Sequence, residues 1–135
     1  MKTVRGRCAS ALLLVFYGST ALACGHCVED RIAAVYDHGL LQQTVARRQQ
    51  IAYFALEGRL QRDDALRHRI KTLVDTTPGV NPGSTRVSLE PGALAVTYDP
   101  QRDTAEALES LLQKRMRAMK LSVLLLQAPP MQKLP

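Results

Sequence analysis

The tetrapeptide Cys24-Gly25-His26-Cys27 holds the side chains best suited to chemistry in this 135-residue chain. Two thiols three positions apart can close on one soft ion or join as a disulfide. The residues before them decide what else is possible. Lys2, Arg5 and Arg7 make a basic start, residues 9–17 form an apolar stretch, and Ala21-Leu22-Ala23 is the small-x-small pattern that a signal peptidase reads. The stretch is shorter than the roughly 20 apolar residues that a membrane-spanning helix needs. Residues 1–23 are therefore expected to be a signal peptide and the protein to be exported, to the periplasm. Cleavage after Ala23 would make Cys24 the first residue. Its amine, two deprotonated amides and the His26 imidazole then form a square-planar nitrogen set suited to Cu(II) or Ni(II), while the thiolates of Cys24 and Cys27 suit Cu(I). The expected metal ligands are Cys24, His26 and Cys27. Copper is the expected ion, with another soft or borderline metal as the alternative.

Other processing would change that chemistry. "TALAC" partly resembles a lipoprotein box, and a lipidated Cys24 would lose both its sulfur and its free amine. The same two cysteines could also form an inert disulfide.

Removing the leader takes three of the 18 basic residues and none of the 12 acidic ones, which leaves 112 residues with a net charge of +3. That balance, with no Trp and few aromatics, excludes a nucleic-acid surface. Cys8 leaves with the leader, so the mature chain is no disulfide scaffold and its core must carry its stability. No membrane span is expected in the mature form.

The elements that must position these residues follow from periodicity. Residues 28–48 place Val28, Ile32, Val35 and Tyr36 on one helical stripe, continued by Leu40, Leu41 and Val45, with a break expected at Gly39. "QIAYFALEG" (50–58) reads as a strand. Asp63 and Asp64 cap a helix with Leu66, Ile70, Leu73 and Val74 inward, which "TTPGVNPG" ends. "TRVSLE" and "ALAVTYD" flank Pro91-Gly92 as a hairpin, whose alternation predicts one buried and one wet face. Asp103 and Glu106 have capping-box spacing and open a helix with Leu108, Leu111, Leu112 and Met116 inward. "KLSVLLLQ" (120–127) is a last strand, apolar on both sides and expected to be covered. The order from residue 50 is βαββαβ, which predicts an α+β, ferredoxin-like fold: an antiparallel four-stranded sheet with two helices on one face, preceded by an N-terminal helical extension. The expected divisions are 1–23 (signal peptide), 24–49 (extension with the CxxC), 50–127 (ferredoxin-like domain) and 128–135 (flexible tail).

Two segments resemble the heavy-metal-associated domain family, which includes copper chaperones and modules of copper-pumping ATPases. "CGHCVEDRIAAV" is similar to its metal loop and first helix. "PGV" followed by "TRVSLEPGALAVTYDPQRDTAEALESLL" is similar to its second half, about a third of the mature chain. The resemblance implies soft-metal binding and transfer to a transport or acceptor protein. In the family one helix separates the second cysteine from Gly-Val, whereas Cys27 and Gly79 lie 52 positions apart here. Counting back one helix from Gly79 arrives at "GRLQRDD" (58–64), which has no cysteine. Either the first helix has gained a long insertion, or the domain begins near residue 50 with its CxxC displaced to the extension. The second alignment supplies all six elements and is the one we follow.

The expected function is thus non-enzymatic metal buffering or transfer. Two alternatives stand beside it. One is an adaptor module that contacts a partner through its sheet or an edge strand. The other is a thiol-disulfide oxidoreductase, since Cys-Gly-His-Cys also occurs in protein disulfide isomerases. His38 and His68 read as surface or capping residues, and Met116 and Met119 as core.

Overall fold

A computed structural model describes residues 27–126. The expected leader, Cys24, His26 and the tail from 128 lie outside them. The elements are α1 (Val28–Val35), α2 (His38–Ala46), β1 (Gln50–Glu57), α3 (Asp64–Asp75), β2 (Arg86–Leu89), β3 (Gly92–Tyr98), α4 (Ala105–Met116), a 3-10 turn (Arg117–Met119) and β4 (Ser122–Leu126). The strands form one antiparallel sheet in the order β2-β3-β1-β4. With α3 and α4 on one face, this is the ferredoxin-like βαββαβ fold.

Strand alternation builds the core on that face. Ala52, Phe54 and Leu56 of β1 lie beside Leu94 and Val96 of β3 and under Ile70, Val74, Leu108, Leu112 and Met116 of the helices. Leu111, expected inward, is 36% exposed and faces out. Asp63 caps α3 as expected, accepting from the Ala65 N–H at 2.9 Å. At α4 the cap moves by one residue. Thr104, not Asp103, accepts from the Ala107 N–H at 3.1 Å. Asp103 instead lies against Gly79, where a Cβ would meet its carboxylate at 3.0 Å and where φ is +92°. Both features favour glycine at that turn.

The hairpin turns where expected, but its second face is not wet. All seven residues of β3 are buried, including Ala93, Ala95 and Thr97. Helix α1 covers the two alanines, with Val35 packed on Tyr53, Ala93 and Ala95, and Ile32 beside it, while Thr97 meets Asn81 and Ser84. Alanines at these positions leave a floor low enough for a helix to lie close. The break in the extension falls at Tyr36-Asp37 rather than at Gly39, which lies in the first turn of α2. Tyr36 and Asp37 are extended, and the Asp37 carboxylate caps α2 by accepting from the Leu40 N–H at 3.0 Å. A local Asp cap decides that boundary more strongly than a glycine.

Strand β4 is an edge strand, and Leu124 is 49% exposed, against the expectation of cover on both sides. Its outward N–H groups are nevertheless engaged. Val123 donates to Gln113 Oε1 at 2.8 Å and Leu125 to Glu109 Oε1 at 3.0 Å. Helix α4 thereby plugs the edge with side chains, a device that prevents strand addition.

Candidate metal centre

Cys27 is the expected ligand that falls within the described residues. It is exposed and stands at the N-cap of α1 in an extended conformation (φ −70°, ψ 166°), where its carbonyl accepts from the Arg31 N–H at 3.2 Å. A helix N-terminus ordinarily favours a thiolate. Here the first turn carries Glu29 and Asp30. The Asp30 backbone N–H draws the thiol pKa down, but the Asp30 and Glu29 side chains and desolvation raise it above its ordinary value. A metal taken by this thiol must displace its proton.

Contacts of α1 place Cys27 relative to the sheet. Arg31 pairs with Glu57 at the end of β1 at 3.7 Å, and Val35 lies over Tyr53, four residues back along that strand. The helix therefore runs against β1. Cys27, one turn before Arg31 and so about 6 Å further along the axis, belongs to the sheet end where β1 leaves for α3. The β2–β3 turn is at the same end, and Arg62 of the β1–α3 connection pairs there with Glu90. The β1–α3 connection is closed by packing, since Leu60 turns into the core. Its two arginines and lack of cysteine leave it without a soft donor.

Two contacts fix the extension beyond α1. Asp37 accepts from Arg86 Nε of β2 at 2.8 Å, across 49 positions of sequence. Its carboxyl pKa is held low by the Leu40 N–H and by the Arg86 guanidinium. Leu40 and Thr44 of α2 are buried, and the Thr44 hydroxyl donates to the Leu40 carbonyl at 2.6 Å.

Among the described residues, no group of three or more His, Cys, Asp or Glu is arranged to hold a metal ion. His38 is exposed in the first turn of α2, with Tyr36 Oη at 3.4 Å and Gln42 Nε2 at 2.9 Å from its ring nitrogens. His68 is exposed on α3, Met116 is buried in the core and Met119 packs at its rim. These four take the roles that the sequence suggested. Sequence reasoning missed the docking of α1 and the partner of Asp37. Ala55, Ala93 and Ala95, aligned on one face by the register, were the available signal. The plug formed by Glu109 and Gln113 has no signal in the sequence.

No protein-family model and no curated protein matches this chain. Solved structures with a similar path include oxidized MerP from Ralstonia metallidurans, with 18% identity over 58% of this chain and 99% of that one and a TM-score of 0.45. The yeast copper transporter domain CCC2A, solved in apo and Cu(I)-loaded states, is 20% identical over 58% of this chain and 97% of its own, with a TM-score of 0.43. The N-terminal domain of a potential copper-translocating P-type ATPase from Bacillus subtilis, Cu(I)-loaded, is 21% identical over 57% and 86%, with a TM-score of 0.42. The ferredoxin-like fold itself is established by strand order and helix placement in this chain.

Proposed function

We propose that this chain is an exported, periplasmic protein that binds copper, or a similar soft metal ion, as cargo through Cys24 and Cys27, with His26 as a further donor. It buffers the ion or hands it to a transport or acceptor protein and carries out no catalysis. The observation that supports this reading is the exposure of Cys27 at the start of a helix pinned to the sheet by Val35 and by the Asp37–Arg86 pair. A buried cysteine could not exchange an ion with a partner. A cysteine on an unattached arm would lose more entropy in forming a two-thiol site.

In this reading residues 24–49 are a metal-bearing extension and 50–127 the domain that carries it, with the CxxC displaced from the β1–α3 connection. Two thiolates hold Cu(I), whereas the amine and imidazole hold Cu(II) once Ala23 has been removed. Loading takes the proton from Cys27, so affinity rises with pH.

The test is a titration of the exported protein with Cu(I) in competition with a chromogenic chelator, beside a Cys24→Ser/Cys27→Ser variant. Stoichiometric binding that the variant loses is expected. Equally weak binding by both would sink the metal reading in favour of an adaptor, and disulfide-reductase turnover lost in the same variant would assign thiol exchange. Intact mass of the exported protein identifies the first residue and any lipid on it.

A further inference from the structure

The sheet end opposite Cys27 carries a polar cleft that metal binding does not use. Helix α2 forms one wall, the segment 81–86 the other, and Thr97 lies between them. The cavity measures about 120 Å³, room for roughly four waters at ~30 Å³ each.

Its hydrogen bonds divide into engaged and unengaged groups. Ser84 Oγ donates to the Asn81 carbonyl at 2.7 Å and accepts from the Thr97 N–H at 3.0 Å. Asn81 Nδ2 donates to Thr97 Oγ1 at 2.9 Å. Arg86 spends Nε on Asp37, and Nη1 on the carbonyls of Gly83 and Thr85. Among the described residues, the Arg47 guanidinium, Arg86 Nη2 and the side-chain amides of Gln43 and Gln49 have no partner, and all belong to residues lining the cleft.

The charges divide in the same way. Arg86 is neutralised by Asp37 at 2.8 Å, and Lys71 by Asp75 at 2.6 Å. Asp75 faces away from the cleft's needs, because its other oxygen already accepts from the Gly83 N–H and the Thr85 hydroxyl. Arg47 is left as the uncompensated charge among these groups. A small volume, a surplus of N–H donors and one unopposed guanidinium describe a site for a small anion with several acceptor oxygens.

We propose that this cleft binds a small oxyanion of phosphate size between Arg47, the C-cap of α2, and Arg86 of β2. Because its two charged walls belong to the extension and to the sheet, the bound anion ties α2 to the sheet and stabilises the docked extension. The site is independent of the metal reading, as Cys27 is not among the residues that line it.

The test is calorimetric titration of the full chain with inorganic phosphate at constant ionic strength, with chloride as the exchanged anion. Saturable one-to-one binding is expected. Arg47→Gln should weaken it about tenfold or more, the loss of one hydrogen bond to a charged group, and Gln43→Leu should weaken it less. Lys114→Gln, an exposed change on α4 across the sheet, should leave it unchanged. Phosphate should also slow amide exchange in α2. Binding that does not saturate, equal loss in Arg47→Gln and Lys114→Gln, or exchange in α2 unmoved by phosphate overturns the proposal.

Discussion

Substituting Val35 by Ala should release the extension while leaving the sheet folded. Val35 is 4% exposed and is the buried apolar residue of α1, seated on Tyr53, Ala93 and Ala95. Deleting two buried methyl-sized groups removes roughly 1.6 kcal/mol of transfer free energy at about 0.8 each. The alanine floor lies in sheet backbone and cannot rise to fill the gap, so a cavity contribution brings the loss to about 2 kcal/mol. Helices of eight and nine residues, the lengths of α1 and α2, are far below the roughly 12–15 residues at which isolated helices become even marginal. The two should therefore unfold once undocked. The larger core lies on the other face and loses no contact. Amide hydrogen exchange reads this directly. Protection in α1 should fall about 30-fold, the equivalent of ~2 kcal/mol at a tenfold per 1.4 kcal/mol, while amides at the β1–β3 pairing should keep theirs. Leu94→Ala, in the opposite core, should lower protection throughout. If Val35→Ala lowers protection at Val96 by the same factor as in α1, the extension and the sheet are one cooperative unit and the reasoning fails.

Glu109→Ala with Gln113→Ala unplugs β4 and frees the N–H groups of Val123 and Leu125. The variant should self-associate in sedimentation experiments, and a monomer at high concentration would refute the edge argument. Gly92→Ala would place a Cβ 2.2 Å from the Leu56 carbonyl oxygen and 2.5 Å from a Leu60 methyl. Because backbone of the adjoining strand cannot yield cheaply, a loss at or above the usual overpacking range of about 1–3 kcal/mol is expected in urea unfolding. Burial pushes the Asp75 carboxyl up, but Lys71, the Thr85 hydroxyl and the Gly83 N–H hold it below its ordinary value. A depressed folded-state pKa stabilises above the unfolded value of about 3.9 and is lost as pH falls through the folded value. The urea midpoint should drop on that acid limb, and Asp75→Asn should flatten this part of the drop.

The surfaces open to a partner are narrowed by the same contacts. A partner that adds a strand meets a plugged edge at β4, and a partner for the second face meets α1. Those surfaces were open when the chain was read as a sequence, because a helix 15 residues upstream of β1 carries no mark of where it docks.

Local chemistry made most of the fold legible. The run of aromatics and small apolars over 50–57, the alternation over 86–98, the Pro91-Gly92 turn, the Asp63 cap and the inward stripes of α3 and α4 are short-range features, and the backbone follows them because each is satisfied within a few residues. The errors are of one or two residues or of one face: Thr104 for Asp103, Asp37 for Gly39, and Leu111, Tyr36 and Val45 outward. Of the candidate site, the sequence marked Cys24, His26 and Cys27 by residue type, and the structure describes Cys27 alone among them, exposed at a helix start.

By itself the sequence determined the order of elements, the main core and the donor atoms available for a metal. Tertiary structure decided that the second face is covered, which end of the sheet Cys27 occupies, how β4 is capped and where a polar cleft opens. The physical reason is separation. Asp37 and Arg86 meet across 49 positions, and Leu125 reaches Glu109 across 16. Alanines, glutamines and arginines at such positions look like ordinary surface until the fold brings their partners to them.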